Sequence, residues 1–200
     1  MSSRVVLMSI FTVALSMTVA CTSDEQPKKD AKKQASAKRT GPSSKRARYN
    51  NLQKEGYAVK TMDLNEDQNP DQWYFNKADG TTARIERDLN FDGRPDMWQY
   101  PNKSGTVVEQ EMDLDNDGRV DVVAFYNDKA QLLKKELSLG FDGKFTVFKY
   151  YDLKGNLLRI EHDETGDGKI NRWDYYENKR VVRVGWDENE DGLPDRFDTL

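Results

Sequence analysis

Two residue types that do much of protein chemistry are nearly missing: the 200 residues hold one cysteine, Cys21, and one histidine, His162. A single thiol cannot close an intramolecular disulfide, so any crosslink beyond ordinary packing has to come from metal rather than sulfur. The lone histidine leaves no Ser-His-Asp order and no zinc-ligand spacing, and the chain has no glycine-rich phosphate loop. His162 falls on an apolar stripe beside a loop, the setting of a core residue. Paired acids recur, as a glycosidase would require, but they recur at a fixed period, whereas an active site is normally built once. The chain therefore reads as a non-enzyme.

Long apolar runs are equally scarce. One stretch, "VVLMSIFTVALSMTVA", fills residues 5–20 behind Arg4 and ends at Cys21. It is short for a transmembrane span. A charged start, an apolar middle and small residues before the cut describe a secretory signal peptide over 1–20. A cysteine directly after it resembles a bacterial lipoprotein signal, with Thr18 in place of the usual Leu, Val or Ile. That resemblance implies that Cys21 is acylated and becomes the mature N-terminus. Residues 21–56 show no hydrophobic period after that cysteine and read as a disordered tether. Charge divides near the same point: residues 22–60 hold eleven Lys and Arg against four Asp and Glu, a net of +7, and residues 61–200 hold nineteen against thirty-one, a net of −12. The basic arm suits anionic lipid or an envelope polymer, and the acidic part would repel nucleic acid.

What the sequence has in quantity is aspartate in a fixed frame. "DLDNDGRVD" places Asp113, Asp115, Asp117 and Asp121 at positions one, three, five and nine of the calcium-loop pattern, with Gly118 at the sharp turn of position six. So many carboxylates in one loop repel each other, and a hard divalent cation reverses that sign. Ca2+ suits the set because it takes six to eight oxygens. Arg119, at position seven, would give only its backbone carbonyl, so its charge is expected to be irrelevant to ligation.

The same frame starts at 63, 88, 138, 163 and 187, at intervals of 25 residues with a final 24. The candidate ligands there are Asp63, Asn65, Asp67 and Asp71, then Asp88, Asn90, Asp92 and Asp96. Further along they are Asp163, Thr165, Asp167 and Asn171, then Asp187, Asn189, Asp191 and Asp195. The loop at 138 has Ser138, Gly140 and Thr146 in ligand places, keeps only Asp142, and is expected to hold no tight site. Gln68 stands where the loop at 63 should have its glycine, which predicts a strained or altered turn. Asp174 and Asp198 fall at position twelve of their loops and could add an oxygen. Elsewhere that position is Tyr74, Gln99, Ala124 or Lys149, not the Glu of an EF-hand.

After each loop apolar residues alternate, as in Trp73 and Phe75, Trp98 and Tyr100, Val123 and Phe125, Phe148 and Tyr150, and Trp173 and Tyr175. A period of two marks a strand with one buried face. The second segment of each unit alternates likewise, with Val108 and Met112, Leu133 and Leu137, or Leu158, Ile160 and His162 on its apolar face and Arg, Lys and Glu on the other. Asn-, Asp- and Gly-rich connections of hairpin length join the two segments. The expected fold is all-β over residues 57–200: an antiparallel meander of about twelve short strands built from tandem hairpins, as an open twisted sheet or an up-and-down barrel.

A strand, a D-x-[DN]-x-D-G-x-x-D loop and a second strand resemble the calcium-binding hairpin loops of integrin-type (FG-GAP) propeller blades, which also lack the position-twelve Glu. The likeness covers the loop alone, and a 25-residue period is too short for a four-stranded blade. The aromatic hairpins resemble YD-type and choline-binding repeats, and the whole resembles calcium-loop lipoproteins of bacteria. The resemblance implies a calcium-binding protein, lipid-anchored in the bacterial cell envelope at the outer membrane, with a structural or protein-binding, adhesive role. Several Ca2+ ions would be its cofactor. Its partners would be the membrane, through the anchor, and another envelope protein or a cell-wall polymer. The alternative is a carbohydrate or cell-wall binding module that uses Trp73, Trp98, Trp173 and Trp186, and a minor one is an enzyme with an unrecognised site.

Overall fold

The computed structural model describes residues 56–200. The expected signal peptide, Cys21 and the expected tether up to residue 55 lie outside the described residues. Within them, alternating segments cut by Asp- and Gly-rich turns form twelve strands: β1 (Ala58–Met62), β2 (Gln72–Asn76), β3 (Thr82–Arg87), β4 (Met97–Pro101), β5 (Val107–Met112), β6 (Val122–Tyr126), β7 (Leu132–Leu137), β8 (Val147–Tyr151), β9 (Leu157–His162), β10 (Arg172–Glu177), β11 (Arg180–Trp186) and β12 (Arg196–Thr199). They pair in chain order in a single antiparallel sheet, and β1 does not pair with β12, so the sheet is open rather than a barrel. No helix occurs among the described residues.

Two kinds of connection alternate. The acidic loops join β1 to β2, β3 to β4 and so on, all at one end of the sheet; short hairpin turns close the other end. In the turn after β4, Asn102 receives the N–H of Gly105 at its carbonyl, and Gly105 takes a φ of 84°. That left-handed residue is the extra one that bulges a hairpin, and the register shifts accordingly between Tyr100 and Pro101.

Register decides which stripes share a face, and here it separates the two apolar series. Trp98 lies opposite Glu111, Glu111 opposite Val123, Val123 opposite Glu136, Glu136 opposite Phe148, Phe148 opposite Glu161 and Glu161 opposite Trp173. Directly opposed residues point the same way. One face therefore alternates aromatic strands with charged ones, while Met112, Leu137 and Ile160 sit on the opposite face. Each strand alternates as expected, but the two apolar stripes do not form one buried face.

Side-chain chemistry explains how the mixed face stays dry. Arg and Lys stems cover ring faces while their heads reach acids on the same strand. Lys134 Nζ stands 5.3 Å from the Phe148 ring centre and 2.6 Å from Glu136, and Arg159 lies 4.2 Å over Tyr150 and 3.0 Å from Glu161. Arg84 pairs with Glu86 and covers Phe75. Tyr100 and Tyr150 donate their hydroxyls to Glu111 and Glu161 at 2.9 and 2.8 Å. Trp98 and Trp173 keep only 4% and 5% exposure. A sugar-stacking row would need those ring faces open. Trp186 stands on the other face, donating Nε1 to Asp198 between Arg172 and Arg196.

Candidate metal centre

The six acidic loops share one hydrogen-bond plan, and it begins with position one. Its side chain turns inward and collects the N–H of position six: Asp88 from Gly93 at 2.7 Å, Asp113 from Gly118 at 2.8 Å, Asp163 from Gly168 at 2.7 Å and Asp187 from Gly192 at 2.7 Å. Gly118 adopts a φ of 90°, where a side chain is strained. Gln68 takes that conformation at a φ of 73° and still donates to Asp63 at 2.8 Å, so the turn is kept at a steric cost rather than altered.

Position nine closes the loop from the far side. Asp71, Asp96 and Asp121 each accept the N–H of position two, from Leu64, Leu89 and Leu114, at 2.7–2.9 Å. Asp195 accepts that of Glu188, and Asn171 accepts that of Glu164. Position five accepts the N–H of position seven throughout, as Asp67, Asp92, Asp117, Asp167 and Asp191 do. At position three, Asn65, Asn90, Asp115 and Asn189 accept the N–H of position five, and the Thr165 hydroxyl turns to Asp163. The loop at 138 keeps the same shape without the charges, because Ser138 Oγ takes the Gly143 N–H at 3.1 Å. Loop shape alone therefore does not require an ion.

The loop at 113–121 differs from the rest in two respects. Asp113, Asp115 and Asp117 bring ligand oxygens within 4.8 Å of one another, the one such group of acids, histidine or cysteine found among the described residues. Asp113 is 6% exposed and Asp121 1%, yet Oδ1 of each meets no hydrogen-bond donor. Buried carboxylate oxygens without partners are costly. Burial pushes Asp113 above its ordinary carboxylate range; the Gly118 N–H on Oδ2, and the Asn116 N–H nearby without hydrogen-bond geometry to Oδ1, offset part of this, and Asp117 and Asp121 push it further up. A cation between these groups would answer all three effects at once. Asp187 Oδ1 is likewise unpartnered in the last loop.

Sequence reasoning missed one participant. Arg119 is not a bystander: its Nε lies 2.6 Å from Asp117 Oδ2, so its guanidinium holds an oxygen of a candidate ligand residue. Asp174 and Asp198, at position twelve of their loops, are engaged by other partners. Asp174 lies in β10 with Arg172 Nε at 2.9 Å and His162 Nε2 at 3.0 Å, and Asp198 is held by Arg196 and Trp186. Two residues into a strand, these side chains follow the sheet face instead of the loop.

No family model matches the chain, and no curated protein matches it in sequence. Among solved structures, accessory secretory protein 1,2 and 3 of Streptococcus pneumoniae is similar at 12% identity over 59% of this chain and 21% of that one, with a TM-score of 0.39. A GtfA/B complex bound to UDP and GlcNAc is 12% identical over 66% and 24%, with a TM-score of 0.32. TarM is 12% identical over 70% and 24%, also at 0.32. The chain thus spans about a quarter or less of those proteins' lengths.

Proposed function

We propose that the chain is a calcium-binding repeat protein of the bacterial cell envelope, held by lipid on Cys21, whose hairpin sheet serves a structural or protein-binding role. The observation that carries the reading is the loop at 113–121, where three clustered aspartates and a fourth buried one leave two carboxylate oxygens without donors. Asp113, Asp115, Asp117 and Asp121 would hold the ion there, with the backbone carbonyl of Arg119. The loops at 63, 88, 163 and 187 repeat the ligand frame with fewer carboxylates and are weaker sites. In each, the ion replaces charge repulsion with ligation and stiffens the sheet's loop end.

Calorimetric titration of the chain with calcium tests this. Extracellular calcium modules commonly bind at roughly 10⁻⁴ to 10⁻³ M, and each site at a hundredfold excess of ion over its Kd stabilises the fold by about 2.7 kcal/mol. Heat of binding with a rise in melting temperature is expected. A flat titration, with a thermal transition that chelator leaves unmoved, would reduce the loops to hydrogen-bonded turns.

A further inference from the structure

Among the described residues the sheet ends on two unpaired edges, the outer sides of β1 and β12. All of β1 is exposed, including Val59 at 37% and Met62 at 41%. Such an edge offers a row of N–H and C=O groups to another strand, and these two edges are of different kinds. β1 precedes an acidic loop, and β12 follows one. Inside the chain a strand that follows a loop always pairs next with one that precedes a loop, at β2–β3, β4–β5, β6–β7, β8–β9 and β10–β11. Laying β12 of one copy against β1 of the next repeats that junction.

The internal junctions also dictate the register. Tyr74 faces Ile85, Gln99 faces Gln110, Ala124 faces Lys135, Lys149 faces Ile160 and Asp174 faces Val184, each pair holding the same places relative to its loops. The same count puts Asp198 opposite Lys60 of the second copy, and Thr199 opposite its Val59. The first pair is oppositely charged and the second is β-branched, both favourable across strands. A lysine in mid-edge ordinarily discourages pairing; here it selects a partner that presents an acid. The Asp198 side chain is 48% exposed and can accept another donor.

Loop charge supplies an independent constraint. The four internal loops carry a cation at position seven, Arg94, Arg119, Lys144 and Lys169. Two of these reach the next loop: the Arg119 chain passes where a Cβ on Gly143 would meet it at 3.4 Å, and Lys169 Nζ stands 3.8 Å from Glu190. The terminal loops have Asn69 and Leu193 instead, with four acids in 63–71 and five in 187–195. At the proposed joint these two loops lie side by side, two strand spacings or roughly 10 Å apart, without the position-seven cation of the internal loops; Arg196 on β12 answers one of their acids, Glu188.

We propose that the chain assembles head to tail, β12 on β1 of the next copy, and that calcium in the two terminal loops permits the joint. This rests on the calcium reading above. The contact is heterologous and does not close on itself, so it yields open filaments rather than a dimer.

The test uses the full chain with Cys21→Ser. Lys60→Cys with Asp198→Cys, oxidised in calcium, is expected to give a ladder of disulfide-linked multimers, and the offset pair Lys60→Cys with Arg196→Cys none. In sedimentation, Lys60→Asp should abolish calcium-dependent assembly, and adding Asp198→Lys should restore it. Crosslinking by both cysteine pairs alike would overturn the register, and multimers of the Cys21→Ser chain, without the added cysteines, that sediment in chelator would overturn the gating. Ions counted by native mass spectrometry on a chain that stays monomeric would overturn the assembly alone; absence of bound ions would remove the calcium reading with it.

Discussion

The guanidinium of Arg119 grips Asp117, with Nε 2.6 Å and an Nη 2.5 Å from the same Oδ2. Asp117 belongs to the three-aspartate cluster, so on the proposed reading calcium entering the loop would compete with a cation supplied by the chain itself. Arg119 is exposed and its charge is screened by solvent, which keeps the competition modest.

Removing the competitor is therefore expected to help. Arg119→Ala should tighten the strongest calcium site about two- to fivefold, the range an exposed ion pair supports, and high salt should shrink the difference. Calorimetry on both chains reads it. An affinity that falls instead would mean that the arginine stem orders the loop more than its charge opposes the ion.

Asp113 gives a prediction that changes sign with calcium. Its folded-state carboxyl is raised above the ordinary 3.8, chiefly by burial. Without metal, the charged form therefore costs stability at every pH above the raised value. That cost fades as pH falls through it and vanishes below the ordinary one. Asp113→Asn should accordingly raise the melting temperature in chelator at neutral pH and lower it in calcium. In calcium, acidification should release the ion from this loop as Asp113 takes up its proton. Thermal scans of the two chains, with and without chelator, check both signs.

On the mixed face, Tyr100 and Glu111 test whether buried polar pairs hold the sheet. Glu111 is fully buried and Tyr100 nearly so, and burial followed by the Glu111 charge pushes the phenol well above its usual range. Tyr100→Phe takes away one donor to a buried carboxylate and should destabilise the fold by about 1–3 kcal/mol in denaturant titration. Alkaline spectrophotometric titration should find a tyrosine in the unaltered chain that ionises only on unfolding and is lost in Tyr100→Phe.

Strand positions were legible because a two-residue alternation and a 25-residue repeat are local properties of the chain. The repeated loop frame was legible for the same reason. Which stripes share a face was not: Trp98 meets Glu111 rather than Met112 because of the turn after Tyr100 and its bulge, and a pattern within one strand is silent on its neighbour's register. Nor could spacing reveal that Ser138 holds its loop through the Gly143 N–H without a carboxylate, or that Arg119 pairs with Asp117. Those depend on where individual donors point. Closure was likewise beyond reach, since it turns on whether β1 meets β12.

The central claim is that carboxylate geometry in these loops exists to hold calcium, and counting ions tests it most directly. Native mass spectrometry of the chain in calcium should show one fewer bound ion for Asp117→Ala, which breaks the clustered loop, and an unchanged count for Asp142→Ala, whose loop keeps its shape through Ser138. Equal losses from the two variants, or no loss from Asp117→Ala, would contradict the account.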